Sequence, residues 1–141
     1  MTGTRTDYRV FRTLPTRWFD NDIYGHLNNT VHYQLFDTAV NAHLMDAAVL
    51  DPAGGETVFL VIESGCRYHA PLAFPQTVTA GLRVAHLGTS AVRYEIGLFG
   101  GDEDTAAAEG FFVHVNVDRI KRTKAPIPDA TRDVLNALRP A

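Results

Sequence analysis

Asp20-Asn-Asp22-Ile-Tyr-Gly25-His26-Leu-Asn28-Asn29-Thr30-Val31-His-Tyr-Gln-Leu35-Phe36-Asp-Thr-Ala39-Val40-Asn-Ala42-His-Leu44-Met45-Asp-Ala47 passes from a polar loop into a helical pattern, and that change decides the fold. Val31, Leu35, Ala39, Ala42 and Met45 form one apolar stripe; Phe36, Val40, Leu44 and Ala47 form a second beside it. Between Thr30 and Val49 the only charged residues are Asp37 and Asp46. A helix this apolar calls for burial on most sides. It is expected to run from Thr30 to about Val49, with Asn28 or Asn29 as N-cap. Asp51-Pro52-Ala53-Gly54-Gly55 supplies turn signals that end the segment.

Upstream, Tyr8, Val10 and Leu14 mark a strand over Tyr8 to Leu14, stopped by Pro15, with a brief continuation through Arg17-Trp18-Phe19. Downstream the period falls to two. Thr57 to Ile62 is a short apolar run, as in a strand covered on both faces. Glu63-Ser64-Gly65 interrupts it, and a bulge at Gly65 lets Cys66 to His69 continue. Pro71 and Pro75 bracket a loop. Val78, Ala80, Leu82 and Val84 alternate with other residues, Gly88-Thr89-Ser90 turns the chain, and Val92, Tyr94, Ile96 and Leu98 return as a hairpin. Beyond the Gly100–Asp104 turn, Phe111, Val113, Val115 and Val117 alternate with Phe112, His114 and Asn116. Asp129 can cap a short helix through about Leu138.

One strand, one long apolar helix and a meander of strands define the α+β class. The simplest packing is an antiparallel sheet wrapped around the helix. A small curved sheet leaves an edge and part of a face to cover, so self-association through the sheet is expected. Residues 1–141 read as a single domain.

A net charge of −3 gives no reason to expect nucleic acid or an anionic membrane as partner. The single Cys66 cannot form an internal disulfide and suits a reducing compartment. The first residues lack the apolar stretch of a secretory signal, and no apolar run approaches the roughly 20 residues of a membrane span. A cytoplasmic location is the expectation.

The opening loop collects two carboxylates, a glycine, a histidine and two asparagines at a helix N-terminus. There backbone N–H groups stand unpaired and the helix dipole presents positive potential. Asp22 is the candidate catalytic carboxylate, against the plainer role of an Asx-turn or cap residue; Asp20 reads as structural. His26 is a second acid–base candidate, or a histidine that fixes the turn to a backbone carbonyl. Gly25 permits positive φ and a close backbone approach to a ligand. Asn28 and Asn29 are caps first and substrate contacts second. Glu63, set among Val61, Ile62 and Cys66, is a further acid–base candidate if buried, or a paired strand-end glutamate. Arg119, Lys121, Arg122 and Lys124 form a basic run suited to phosphates, or else a solvated loop; Arg67 and Arg93 are alternatives. His26, His32 and His43 share no helical face and no cysteine cluster supports them, so no metal is expected.

Asp22-x-x-Gly25-His26-x-Asn28-Asn29, preceded by Arg17-Trp18-x-Asp20 and followed by the apolar helix, resembles the hotdog-fold acyl-CoA thioesterases, most of all the 4-hydroxybenzoyl-CoA thioesterase-like branch. Glu63-Ser-Gly-Cys-Arg-Tyr-His-Ala-Pro-Leu and Leu87-Gly-Thr-Ser-x-Val-Arg93-Tyr94 strengthen it, and the likeness spans residues 8 to 120. It implies a hotdog fold: a five- or six-stranded antiparallel sheet around one central helix, working as a homodimer or tetramer with sites between subunits. It also implies hydrolysis of an acyl-CoA to free acid and CoA. Asp22 would be general base or nucleophile, the helix N-terminal N–H groups the oxyanion hole, and CoA would enter as part of the substrate with no separate cofactor. The residues after the glycine depart from the 4-hydroxybenzoyl enzymes, which are more apolar there; His26-x-Asn28-Asn29 matches a broader subgroup. A non-catalytic acyl-CoA-binding domain and a hotdog dehydratase or hydratase are the rival readings.

Overall fold

In a computed structural model, which describes residues 2–140, the apolar stripes form helix α1 (Asn29–Asp46). Asn28 is its N-cap, and its Oδ1 accepts the Thr30 N–H at 3.0 Å. The helix stops short of the expected Val49. Ala48 takes a φ of 59°, and the Ala48 and Val49 N–H groups turn back to the Met45 and Leu44 carbonyls at 2.9 and 3.1 Å. That is a Schellman closure with alanine where glycine is usual, so no breaker in the sequence announces it.

Val31, Leu35, Phe36, Ala39, Val40 and Leu44 are buried, but Gln34, Asp37, Thr38 and Met45 are exposed. Burial of α1 on most sides is therefore corrected to burial of one broad face.

Five antiparallel strands curve around that face: β1 (Val10–Leu14), β2 (Thr57–Tyr68), β3 (Val78–Leu87), β4 (Ala91–Gly100) and β5 (Ala108–Asp118), in the order β1-β3-β4-β5-β2. Val92, Tyr94, Ile96 and Leu98 of β4 stand opposite His114, Phe112, Gly110 and Ala108 of β5, and this row meets the helix. A Cβ at Gly110 would lie 2.2 Å from the Phe36 ring, so glycine sets how closely α1 approaches the sheet. On the outer face Tyr8 lies across Gly81 and Gly97 and packs edge-on against Phe99.

Other expectations need correction. The first strand begins at Val10 rather than Tyr8. Trp18–Asp20 is a 3-10 turn rather than extended chain. Strand β2 runs unbroken, with its register shift between Val61 and Glu63 instead of at Gly65. Gly65 is a packing glycine, because a Cβ there would meet the Phe111 ring at 2.5 Å. Nor is Thr57–Ile62 covered on both faces. Strand β2 is an edge, and Leu60, Val61 and Ile62 are 39%, 48% and 63% exposed.

Helix α2 (Asp129–Asn136) ends before Leu138, and its N-cap is Pro128, which leaves Asp129 in the first turn. Leu135 and Leu138 join the core, and the Leu138 carbonyl accepts the Val84 N–H at 2.9 Å. Arg132 donates to the carbonyls of Gly88 and Thr89 in the β3–β4 turn. Helix α2 thus closes the core at the end remote from the start of α1. Among the described residues no helix is long and apolar enough to cross a membrane.

Candidate active site

The loop before α1 is tightly specified. Asp20 is buried and accepts the Arg17 backbone N–H at 2.8 Å and its guanidinium at 2.8 and 3.1 Å. Burial pushes this carboxyl up, but the Arg17 hydrogen bonds and charge outweigh it and hold the group below the usual carboxylate range. Asp22 Oδ1 accepts the Tyr24 N–H at 2.9 Å and the Asp22 carbonyl accepts the Gly25 N–H at 3.1 Å, an Asx-type turn. Gly25 completes it with a φ of 87°. The Asp22 N–H donates to the His26 carbonyl at 2.9 Å, and Asn21 and Leu27 form a short bridge, so the loop closes as a miniature hairpin.

The Leu72–Phe74 segment pins this hairpin from one side. The Leu27 N–H donates to the Leu72 carbonyl at 2.7 Å, and the Asn21 side-chain oxygen accepts the Phe74 N–H at 2.9 Å. Between the two segments and β2 opens a cavity of about 460 Å³, lined by His26, Leu27, Asn29, His32, Tyr68 and the His69–Leu72 segment. The first turn of α1 ends on it. Asn28 and Asn29 thus divide their work. The Asn28 side chain caps the helix, whereas no hydrogen bond among the described residues uses the Asn29 N–H. A free amide at a helix N-terminus suits developing negative charge.

Three histidines line this space, His26, His32 and His69. His26 Nδ1 is 3.1 Å from the Leu27 carbonyl and 3.8 Å from Asp22 Oδ1. The carbonyl can only accept, so Nδ1 carries the proton. His26 therefore anchors the turn and links the cavity to Asp22, which adjoins His26 without itself lining the cavity. His32, which the motif reading did not single out for catalysis, is 4% exposed and lies edge-on to Tyr68 with ring centroids 4.8 Å apart. The signal that could have found it is its i+4 spacing from Asn28, which puts the ring above the cap. Among the described residues no group of three or more His, Cys, Asp or Glu side chains converges as metal ligands do.

The family model of the thioesterase superfamily matches residues 24–107, from the turn through the pinning segment to the start of β5. The chain belongs to the thioesterase superfamily. It is similar to the PA5185 protein of Pseudomonas aeruginosa strain PAO1, with 48% identity over 100% of this chain and 99% of that one and a TM-score of 0.98. A Thermus thermophilus thioesterase solved with coenzyme A and zinc is 28% identical, over 94% of this chain and 98% of that one, with a TM-score of 0.77. Slr0204 of Synechocystis, a 1,4-dihydroxy-2-naphthoyl-CoA thioesterase, is 14% identical over 89% of this chain and 94% of that one; its TM-score of 0.82 supports the hotdog fold alone. No curated protein matches.

Several predicted site residues lie elsewhere in this thioesterase-superfamily chain. Glu63 is exposed on edge strand β2, not set in an apolar pocket, which removes the burial argument for it. Arg67 and Arg93 share a polar cavity of about 360 Å³ on the outer face with Arg83, Glu95 and Glu109. Arg93 lies over the Phe111 ring at 3.9 Å, and Arg83 bonds Glu95 at 2.9 Å. His69 lines both this cavity and the one at α1, so the two meet at the end of β2. Arg119 and Arg122 are not brought to either cavity. Asp118 pairs with Thr57 while Ala108 pairs with Tyr68, so the basic run follows the far end of β5, roughly 30 Å along the strand. There Arg119 donates to the Pro52 carbonyl and Arg122 sits in a tight turn with a φ of 60°.

Proposed function

We propose that the protein hydrolyses a CoA thioester to a free acid and CoA where the cavity at the start of α1 meets the Asp22–His26 turn. The observation that carries this reading is the unspent Asn29 N–H at a helix N-terminus, facing a cavity that His26 links to the Asp22 carboxylate. The thioester carbonyl would accept from Asn29, where helix dipole and amide together favour the oxyanion. Asp22 would activate water as general base or attack as nucleophile, with His26 holding the turn in register. Coenzyme A leaves as a thiolate of modest basicity, so one carboxylate and an oxyanion donor are sufficient machinery. The coenzyme A bound to the 28%-identical thioesterase supports the ligand class.

The phosphate end of CoA would pass His69 into the outer cavity. Among the described residues Arg67 has no carboxylate or carbonyl partner, and it is the guanidinium we assign to phosphate. A second copy would complete the site. Trp18, Phe19, Ile23 and Tyr24 on the loop are 83%, 87%, 94% and 81% exposed, and β2 offers an apolar open edge. The Asp22→Asn variant tests the reading, because Asn keeps the oxygen that accepts the Tyr24 N–H. Wild-type turnover on an acyl-CoA panel with loss in D22N supports it. Full turnover by folded D22N removes Asp22, and CoA-ester binding without hydrolysis selects a binding domain instead.

A further inference from the structure

We propose that His32 is a catalytic residue of this site, holding the attacking water through Nε2; the inference rests on the hydrolytic reading above. His32 Nδ1 is 3.3 Å from the Asn28 carbonyl, an acceptor only, so Nδ1 carries the proton and Nε2 presents a lone pair. The ring cannot turn freely, because Tyr68 is packed edge-on against it and the residue is 4% exposed. Tyr68 itself does not serve Nε2, since its hydroxyl donates to the Asn29 carbonyl at 3.0 Å. No hydrogen bond among the described residues engages Nε2, yet the side chain lines the cavity onto which Asn29 opens. An acceptor left unspent in a largely apolar cavity, one turn from an unspent donor, is suited to hold a small hydroxylic molecule.

Water fits both. One of its hydrogens points to Nε2 and stays there, which turns an oxygen lone pair toward the carbonyl carbon polarised by Asn29. The other hydrogen passes, as the C–O bond forms, to the base of the reading above, Asp22, which adjoins the cavity through His26. The tetrahedral intermediate then expels CoA by breaking the C–S bond, and the departing thiolate takes up the proton released by the base. The acid and CoA thiol account for every atom of thioester plus water. His32 itself gains and loses nothing.

The titratable neighbours facing His32 are His26 on the loop, Tyr68 on β2 and His69 just beyond it; no carboxylate among the described residues lines the cavity. Burial outweighs the upward pull of the Asn28 and Asn29 backbone and, with a smaller contribution from His26, holds His32 below the ordinary imidazole range, so its lone pair is available at neutral pH. Once protonated at low pH it would donate rather than accept and release the water.

The test compares wild type, His32→Phe and His32→Gln for melting temperature, kcat, KM and kcat against pH on whichever acyl-CoA the wild type turns over. Expected is an about 100-fold fall in kcat for H32F with KM little changed, and partial rescue in H32Q, whose amide oxygen accepts. The low-pH limb due to His32 should disappear from H32Q. Folded H32F with wild-type kcat overturns the inference while D22N still reports on the hydrolytic reading. Equal loss in H32F and H32Q with an unaltered pH limb also overturns it. If H32F fails to fold, H32Q alone decides through its pH limb. No turnover by wild type removes both readings together.

Discussion

The hydroxyl of Tyr68 donates to the carbonyl of Asn29 at 3.0 Å, so the last residue of the edge strand is tied to the first residue of the central helix. The bond fixes how α1 presents its amides to the cavity. Burial, then the neighbouring Cys66 and Tyr33, push the Tyr68 phenol up to about 12, and it stays a donor across the neutral range. Tyr68→Phe should cost about 1 kcal/mol, a fall of about 3 °C in melting temperature. If the Asn29 amide binds the oxyanion, kcat should fall further than that stability loss explains. Calorimetry and steady-state kinetics on one preparation separate the two effects.

A Cβ added at Gly25 would meet no atom within 4 Å, yet the residue's φ is 87°. Space is therefore irrelevant there and backbone strain is the whole cost. Gly25→Ala should lower stability by about 1–2 kcal/mol. Turnover should drop more, because the Gly25 turn sets the 3.8 Å approach of His26 to Asp22. Gly25→Asn should be milder in both respects, since asparagine tolerates the left-handed region. Urea titration with activity assays checks the order wild type, Asn, Ala.

Ala48 presents the reverse case: an alanine where the C-terminal closure of α1 asks for glycine, with a φ of 59°. Ala48→Gly should raise stability by up to about 1 kcal/mol, the relief of left-handed strain less the entropy glycine adds to the unfolded chain. It lies at the opposite end of α1 from the cavity, so kcat and KM should not move. A lower melting temperature in A48G would contradict the strain argument.

These positions show what the amino-acid pattern could and could not reveal. The helix and the strands follow from apolar spacing, because burial against one core imposes a period of 3.6 on α1 and 2 on the strands; the sheet order does not, since β2 pairs with β5 where a meander would put it beside β3. The N-cap was legible for the same kind of local reason, since Asn28 bonds a neighbour two residues away. What failed was tertiary. Gly65 looked like a bulge, but its missing Cβ answers the Phe111 ring across the sheet. Thr57–Ile62 looked doubly covered because an exposed apolar edge and a buried strand share one composition. The separation of Arg119 and Arg122 from the α1 cavity was not legible either, because charge is visible in a sequence while distance along β5 is not. His32 was overlooked because its role depends on Tyr68, which is close only in space.

His114 supplies a prediction about pH. It lies on the inner face of β5 among Phe59, Phe112 and Tyr94, is 2% exposed, and neither ring nitrogen has a hydrogen-bond partner among the described residues. Burial pushes its pKa down to about 4 from the ordinary 6.5. Below pH 6.5 the unfolded chain therefore binds a proton that the native chain refuses, and unfolding gains ground as pH falls until the native group titrates near 4. The contribution is fully present above 6.5 and is lost through that window, about 1.4 kcal/mol per pH unit and about 3 kcal/mol in all. His32 and His43, both also depressed by burial, add smaller parts of the same sign. His114→Leu should flatten the stability curve between pH 6.5 and 4 relative to wild type. Chemical denaturation at half-unit pH steps measures the difference, and parallel curves for the two proteins would show that the buried imidazole is not the group that titrates.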